Sequence, residues 1–420
     1  MGAYIITGGI SLSGEIKVQG SKNSSLPILA STVLSGKKSI IRDVPILRDV
    51  DVMTNILELL GAEIKRDEHV VEIDTQKVET YKVPEHLMRE MRSSIVLMGA
   101  LLGRFGKAIV SYPGGCEIGP RPIDLHLKGF NSMGVTLNER HGFIFAEAKE
   151  LRGADIHLDF PSVGATENLM LAGTLAKGKT VIRNAAKEPE IVDLQNFLNK
   201  MGAHIKGAGT DTIKIEGCRI TDLKSVEDHT VIPDRIAAGT YLVAGAITRG
   251  QVTVKNIFLE HMEPILAKLR EVGCKVECDD DRIKLYVDSP LKSLDSLRTL
   301  PYPGFPTDMQ APIMALLTTV EGTSILTETV FENRFKHAEE LRRMGANITV
   351  NGNTAIVKGV KKLTGAIVEA KDLRAGAALV LAALAAEGET RVEGAQHVER
   401  GYEELDKNLA LLGAKIVKKD

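Results

Sequence analysis

Residues 60–64 read LGAEI, and variants of this pentapeptide return along the chain. They are MGVTL at 133–137, MGAHI at 201–205, VGCKV at 272–276, MGANI at 344–348 and LGAKI at 412–416. The glycines Gly61, Gly134, Gly202, Gly273, Gly345 and Gly413 lie 73, 68, 71, 72 and 68 residues apart. Each follows a segment with helical spacing of apolar residues, such as VMTNILELL or LQNFLNKM, and precedes a short alternating run. A glycine there supplies the left-handed residue that ends a helix, and the alternation begins a strand. A period of this size marks a repeat architecture.

Upstream in each unit a second pattern recurs: an apolar segment running to a glycine and then a β-branched run. It reads LPILASTVLSGKKSII, SSIVLMGALLGRFGKAIV, NLMLAGTLAKGKTVI, AAGTYLVAGAITRGQVTV, APIMALLTTVEGTSIL and AALVLAALAAEGETRV. Several are apolar on every side, which predicts helices buried among other elements. The expected unit is strand, buried helix, strand, partly exposed helix, strand. Six such units define an α/β protein, and units of ~70 residues are too many for one core, so a three-plus-three division into two lobes is expected.

The approaches to the buried helices carry the polar residues: QGSKNSSLP, MREMRSSI, DFPSVGATEN, VIPDRIAAG, YPGFPTDMQA and EAKDLRAG. They contain Lys22, Asn23, Arg92, Ser162, Asp234, Asp308, Asp372 and Arg374. Helix N-termini favour anions through free N–H groups and the dipole. Asp234, Asp372 and Ser162 read equally as N-caps. Lys22 and Arg92 precede apolar helices, where a charge needs a partner. Basic loops around Arg121, Arg334 and Arg400 add guanidinium forks suited to carboxylates and phosphates.

Four cysteines in 420 residues form no disulfide scaffold. Cys218, Cys274 and Cys278 read as small core residues. Cys116 differs: in PGGCEIGPRPIDLHL, residues 113–127, glycines precede it and prolines follow, so a loop is expected. Nearby cations would lower its pKa and make it a usable acid or nucleophile. His126 and Asp124 lack a marked serine nucleophile. No GxGxxG after a strand, P-loop or HExxH is present, so neither a metal nor another cofactor is expected.

Aromatic residues are 4%, Trp is absent and net charge is −2, which argues against stacked-ring or nucleic-acid sites. The N-terminus MGAYIITGGI has no basic stretch ahead of an apolar core, and Ile6 stands where a myristoylation signal needs Ser or Thr. The longest uncharged apolar run, AGAALVLAALAA at 375–386, falls short of the ~20 residues that cross a bilayer. A cytoplasmic protein is expected, with no membrane or nucleic-acid partner.

The Cys116 loop resembles the active-site loop of the UDP-N-acetylglucosamine 1-carboxyvinyltransferases, a family of enolpyruvyl transferases. The resemblance spans the chain through GSKNSSLP, MRSSI, VGATEN, KEPEIVDLQNFL, PDRIAAGTYLVA, PYPGFPTDMQAP, TVFENRFKHAEEL, DLRAGAALVLA and HVERGYEEL. The related shikimate enolpyruvyl transferases share the six-unit fold but not this loop. The resemblance implies two inside-out α/β barrel-like lobes, the EPSP-synthase-like fold, with helices inside and sheet outside. It implies two crossings between lobes: residues 22–230 form the first, and 1–21 with 231–420 the second.

It further implies transfer of the enolpyruvyl group of phosphoenolpyruvate to the 3′-hydroxyl of UDP-N-acetylglucosamine in bacterial peptidoglycan synthesis. Lys22, Asn23, Arg121 and Arg400 match positions at the phosphoenolpyruvate. Cys116 matches the proton donor, Asp308 the residue that takes the hydroxyl proton, and Lys22 and Arg400 belong to the same catalytic set. The nucleotide-sugar side maps to Asn23, Arg92, Arg121, Pro122, Ile123, Asp124, Leu125, Ser162, Val163, Gly164, Asp308 and Val330. Arg334, Asp372 and Arg374 are supporting groups. Phe160 departs from the pattern, because many relatives carry a basic residue there. The glycines and prolines around Cys116 suit a lid. Two rivals are weighed: another acceptor such as shikimate phosphate on the same fold, and a non-enzymatic six-unit ring, which would need basic inner helices.

Overall fold

A computed structural model describes residues 2–112, 114 and 123–419; Cys116, Arg121 and Pro122 lie outside the described residues. The chain forms two compact units, one of residues 2–19 and 233–419, the other containing the described residues between 20 and 232. Each has its own apolar core.

All six repeat glycines have positive φ, from 84° at Gly134 to 109° at Gly61 and Gly202. The outer helices Pro189–Met201 and Leu259–Val272 end on Gly202 and Gly273, each in the left-handed conformation. That region is strained for a residue bearing Cβ, so the pentapeptide is the repeat's fixed corner.

The inner helices are buried as their composition predicts. Every residue of Arg235–Ile247 and of Gln310–Leu317 is buried, as is Arg374 to Leu384 within Leu373–Ala385. These three helices pack on one another in the one unit. In the other, Lys22–Ser31, Leu97–Phe105 and Val163–Thr174 form the corresponding set, with Leu97–Phe105 packed against both neighbours.

The sheets correct the expected unit by one strand. The alternating run after each of the first five glycines is the first arm of a hairpin, as in Glu63–Asp67 with Val70–Asp74, and the second arm returns to the strand that follows the inner helix. Five sheets therefore have four strands, and the sixth has three plus the parallel bridge Lys82 to Ile109.

One strand in each four-stranded sheet runs parallel to the strand that follows the inner helix. In three repeats this strand precedes its own inner helix, as Asp155–His157 does beside Lys179–Arg183, and in a fourth the bridge of Lys82 to Ile109 stands in its place. In the other two the strands are exchanged. Ser13–Lys17 comes before the helix Lys22–Ser31 but pairs with Gln251–Lys255, whereas Val226–Thr230 comes before Arg235–Ile247 but pairs with Lys38–Arg42. The N-terminal strand Ala3–Thr7 completes the last sheet, antiparallel between Glu389–Glu393 and Lys415–Lys419. Among the described residues no helix is long and apolar enough to cross a membrane.

Candidate active site

Four inner helices begin with a side-chain cap. Ser21 accepts from the Ser24 amide and Ser162 from that of Ala165. Asp234 Oδ1 accepts from Ile236 and Ala237, both at 2.9 Å. Asp372 Oδ1 accepts from Arg374 at 3.0 Å and Ala375 at 2.9 Å. The capping reading of Ser162, Asp234 and Asp372 is therefore met by geometry, and Ser21 adds a fourth cap. The other two inner helices, Leu97–Phe105 and Gln310–Leu317, are entered through the 3₁₀ turns Arg92–Val96 and Thr307–Met309. Arg92 and Asp308 sit on those turns, where no cap consumes the polar side chain.

In the unit around residues 20–232, Lys22 opens the helix Lys22–Ser31 and is largely buried, with Nζ 3.3 Å from Asp49 Oδ2. Asp49 lies in the first turn of Arg48–Leu59, where an acidic residue also complements the helix dipole. Nothing local to the sequence marks the pairing. Asn23 and Arg92 are half-buried. Ser24 donates its hydroxyl to Asp193, which also accepts from the Ile232 amide at 3.2 Å and lies 3.0 Å from His229 Nε2.

Ile123 is buried, Asp124 exposed and Leu125 half-buried at the start of the helix Asp124–Ser132. His126, one residue on, lies beneath Gly164: a Cβ added there would be 3.2 Å from its ring. Its Nδ1 is 2.7 Å from Asn168 Nδ2, and Asn168 also donates to Ile95 O and accepts from the Gly99 amide. Burial pushes His126 down to about 4, with the Arg92 charge adding to the effect and Asp124 opposing it. His126 thus joins the Arg92 turn, the Asp124 helix and the Ser162–Gly164 turn as a neutral packing group. Phe160 is exposed.

In the other unit three predicted residues meet directly. Arg334 Nη2 donates to Asp308 Oδ1 at 2.7 Å. Arg374 donates to Asp308 Oδ2 through Nε at 3.0 Å and Nη2 at 2.9 Å. The two arginine side chains are 4% and 3% exposed, the carboxylate 27%. The Arg374 guanidinium faces the Tyr402 ring at 5.2 Å. Burial works against its charge, but Tyr402, Asp308 and Asp234 outweigh that and push its pKa up. Asp372 bonds the amides of the helix that carries Arg374. Burial pushes His337 down to about 4, against an opposing pull from Asp372.

Arg400 is half-buried in the turn after Ala395–Val398, two residues before Tyr402. The Val330 amide donates to Glu328, a residue the sequence reading missed. Among the described residues no three His, Cys, Asp or Glu side chains gather to hold a metal ion.

Comparison with known proteins agrees with this architecture. Residues 6–409 match the family described as EPSP synthase (3-phosphoshikimate 1-carboxyvinyltransferase). A UDP-N-acetylglucosamine 1-carboxyvinyltransferase 2 of Caldanaerobacter subterraneus subsp. tengcongensis is 56% identical over 418 residues, covering 100% of both chains. Among solved structures, the enolpyruvyl transferase NikO from Streptomyces tendae superposes with a TM-score of 0.90 at 26% identity, over 100% of this chain and 99% of NikO. An EPSP synthase from Acinetobacter baumannii shares the fold, with a TM-score of 0.76 at 17% identity over 100% of both chains.

Proposed function

This chain belongs to the UDP-N-acetylglucosamine 1-carboxyvinyltransferases, within the wider EPSP synthase family, and from that premise we propose how it works. It transfers the enolpyruvyl group of phosphoenolpyruvate to the 3′-hydroxyl of UDP-N-acetylglucosamine and releases phosphate. We place the reaction in the bacterial cytoplasm, at the first committed step of peptidoglycan synthesis. The carrying observation is the 56% identity with a relative of that name, sustained over both full lengths.

The reaction is an addition followed by an elimination. A proton adds to the methylene carbon of phosphoenolpyruvate, the sugar oxygen bonds to the adjacent carbon, and the hydroxyl proton leaves. The tetrahedral phospho-ketal then loses a methyl proton as its carbon–phosphate oxygen bond breaks, giving the enol ether and inorganic phosphate.

In our reading Cys116 donates the first proton and Asp308 accepts the hydroxyl proton. Support for Asp308 comes from its setting: two buried guanidiniums orient the carboxylate while leaving part of it open. Acid and base groups of this kind contribute ~10²–10⁴-fold each. Lys22, Asn23, Arg121 and Arg400 hold the phosphate and carboxylate of the donor. Support for Lys22 comes from its place in the first turn of a buried helix, where charge and dipole both favour an anion. Asn23, Arg92, Arg121 to Leu125, Ser162 to Gly164, Asp308 and Val330 take the nucleotide sugar, with Arg334, Asp372 and Arg374 in support.

Mass spectrometry of the sugar nucleotide after incubation with phosphoenolpyruvate tests the proposal. The expected product carries one carboxyvinyl group per sugar in place of the hydroxyl hydrogen. An unmodified sugar nucleotide, with shikimate 3-phosphate converted instead, would replace this reading by the related one.

A further inference from the structure

Glu328 is 2% exposed, follows the strand Thr323–Thr327, and plays no part in the reaction steps given for the transfer. Its carboxylate nevertheless gathers four donors. Oε1 accepts from Thr299 Oγ1 at 2.7 Å, the Val330 amide at 2.8 Å and the Phe331 amide at 3.3 Å. Oε2 accepts from Thr307 Oγ1 at 2.8 Å. Thr299 Oγ1 in turn accepts from the Thr329 amide at 3.0 Å.

These bonds close a ring of contacts. Thr307 precedes Asp308, Asp308 binds Arg334, and the Arg334 guanidinium faces the Phe331 ring at 5.3 Å. Phe331 returns to Glu328 through its amide. The ring contains Asp308 and, through the same carboxylate, Val330. All the donors converge on acceptor oxygens, so a glutamine would turn an NH2 group toward at least one of them. An aspartate is one methylene shorter and cannot span the same four donors. The charge makes each bond stronger than a neutral one and raises the cost of leaving the donors unmade.

We propose that Glu328 is a positioning residue for the acceptor sugar: its carboxylate fixes residues 328–331 and Thr307 in one register, so that Val330 and Asp308 are presented together. This rests on the reading that Asp308 and Val330 serve the nucleotide sugar, whereas phosphoenolpyruvate is held by Lys22, Asn23, Arg121 and Arg400. Loss of the carboxylate therefore acts on one substrate more than the other.

The test uses Glu328→Gln, which keeps the size, beside Glu328→Asp and the parent enzyme. Phosphate release is measured against each substrate, and amide hydrogen exchange is followed over residues 299–334. The expected result is faster exchange at Val330 and Phe331, with KM for UDP-N-acetylglucosamine raised on the order of tenfold and KM for phosphoenolpyruvate changed less than about twofold. Unchanged exchange in both variants overturns the tether. Faster exchange with both KM values and kcat unchanged overturns the positioning role, because the carboxylate would then serve stability alone. A parent enzyme without sugar-dependent phosphate release defeats the underlying reading and the positioning role with it, while the exchange data still decide whether the tether exists.

Discussion

Asp308→Ala is the most informative single change, because it takes the shared carboxylate away from two largely buried cations. The Arg334 and Arg374 side chains are 4% and 3% exposed and make three contacts to this carboxylate, at 2.7, 2.9 and 3.0 Å. Removing one member of a buried ion pair costs about 3–5 kcal/mol, most of it the uncompensated charge left behind. Asp308 itself is 27% exposed, so water enters the gap and the low end applies, about 3 kcal/mol. For a unit of this size about 2–4 °C is lost per kcal/mol, giving a fall of about 6–12 °C in melting temperature. Asp308→Asn keeps the hydrogen-bond acceptor and is expected to lose less. Replacing Arg374 by Met in the Asp308→Ala background should restore part of the loss, since it removes one stranded cation. Thermal unfolding followed by circular dichroism reads all three. A melting temperature for Asp308→Ala within about 2 °C of the parent would refute the argument that this carboxylate neutralises the buried pair.

Three further outcomes follow from other parts of the molecule. The folded His126 is held down to about 4 by burial, whereas an unfolded imidazole takes its proton near 6.5. Between those values the unfolded chain binds more protons, so stability is full above pH 6.5 and falls by up to roughly 3 kcal/mol as pH drops toward 4. Urea unfolding of His126→Gln at several pH values should be flatter across that window, and parallel curves would contradict this. At the repeat corners, Gly61→Ala puts a Cβ 2.6 Å from Lys77 O at φ 109°, whereas at Gly413, φ 93°, it meets nothing within 4 Å. We expect about 1 kcal/mol lost at Gly413 and at least about twice that at Gly61, and equal unfolding midpoints would refute the packing part. Cys116→Ala should nearly abolish turnover at neutral pH while Cys116→Asp retains more, because an aspartic acid can still deliver a proton. Equal rates for Ala and parent would remove Cys116 from the acid role.

The features legible in the sequence were local or periodic. The six pentapeptides marked the helix ends, since a left-handed glycine and the hydrophobic spacing before it lie within one stretch of chain. Ser162, Asp234 and Asp372 were readable as caps for the same reason: a cap and the amides it binds are two or three residues apart. Contacts over distance were not legible. Asp308 meets Arg334 26 residues away and Arg374 66 away, and Glu328 reaches back 29 residues to Thr299. The exchange of Ser13–Lys17 and Val226–Thr230 has no local signal, because each strand looks like the natural partner of the helix that follows it; only the family resemblance implied the two crossings. The extra strand was missed in the first five units because the hairpin turn, such as the one between Asp67 and Val70, was absorbed into one alternating run, and in the last because the strand comes from the N-terminus. Asp49, Asp193 and Glu328 went unremarked, because an acidic residue near a helix end or after a strand has an ordinary solvated reading. A buried partner shows only once the chain is folded.

The account is tested most directly by the phosphate released from phosphoenolpyruvate in the presence of each acceptor. It predicts release that depends on UDP-N-acetylglucosamine and saturates with it, with none above background when shikimate 3-phosphate is supplied instead. Release that ignores the sugar nucleotide, or that follows shikimate 3-phosphate, would contradict it.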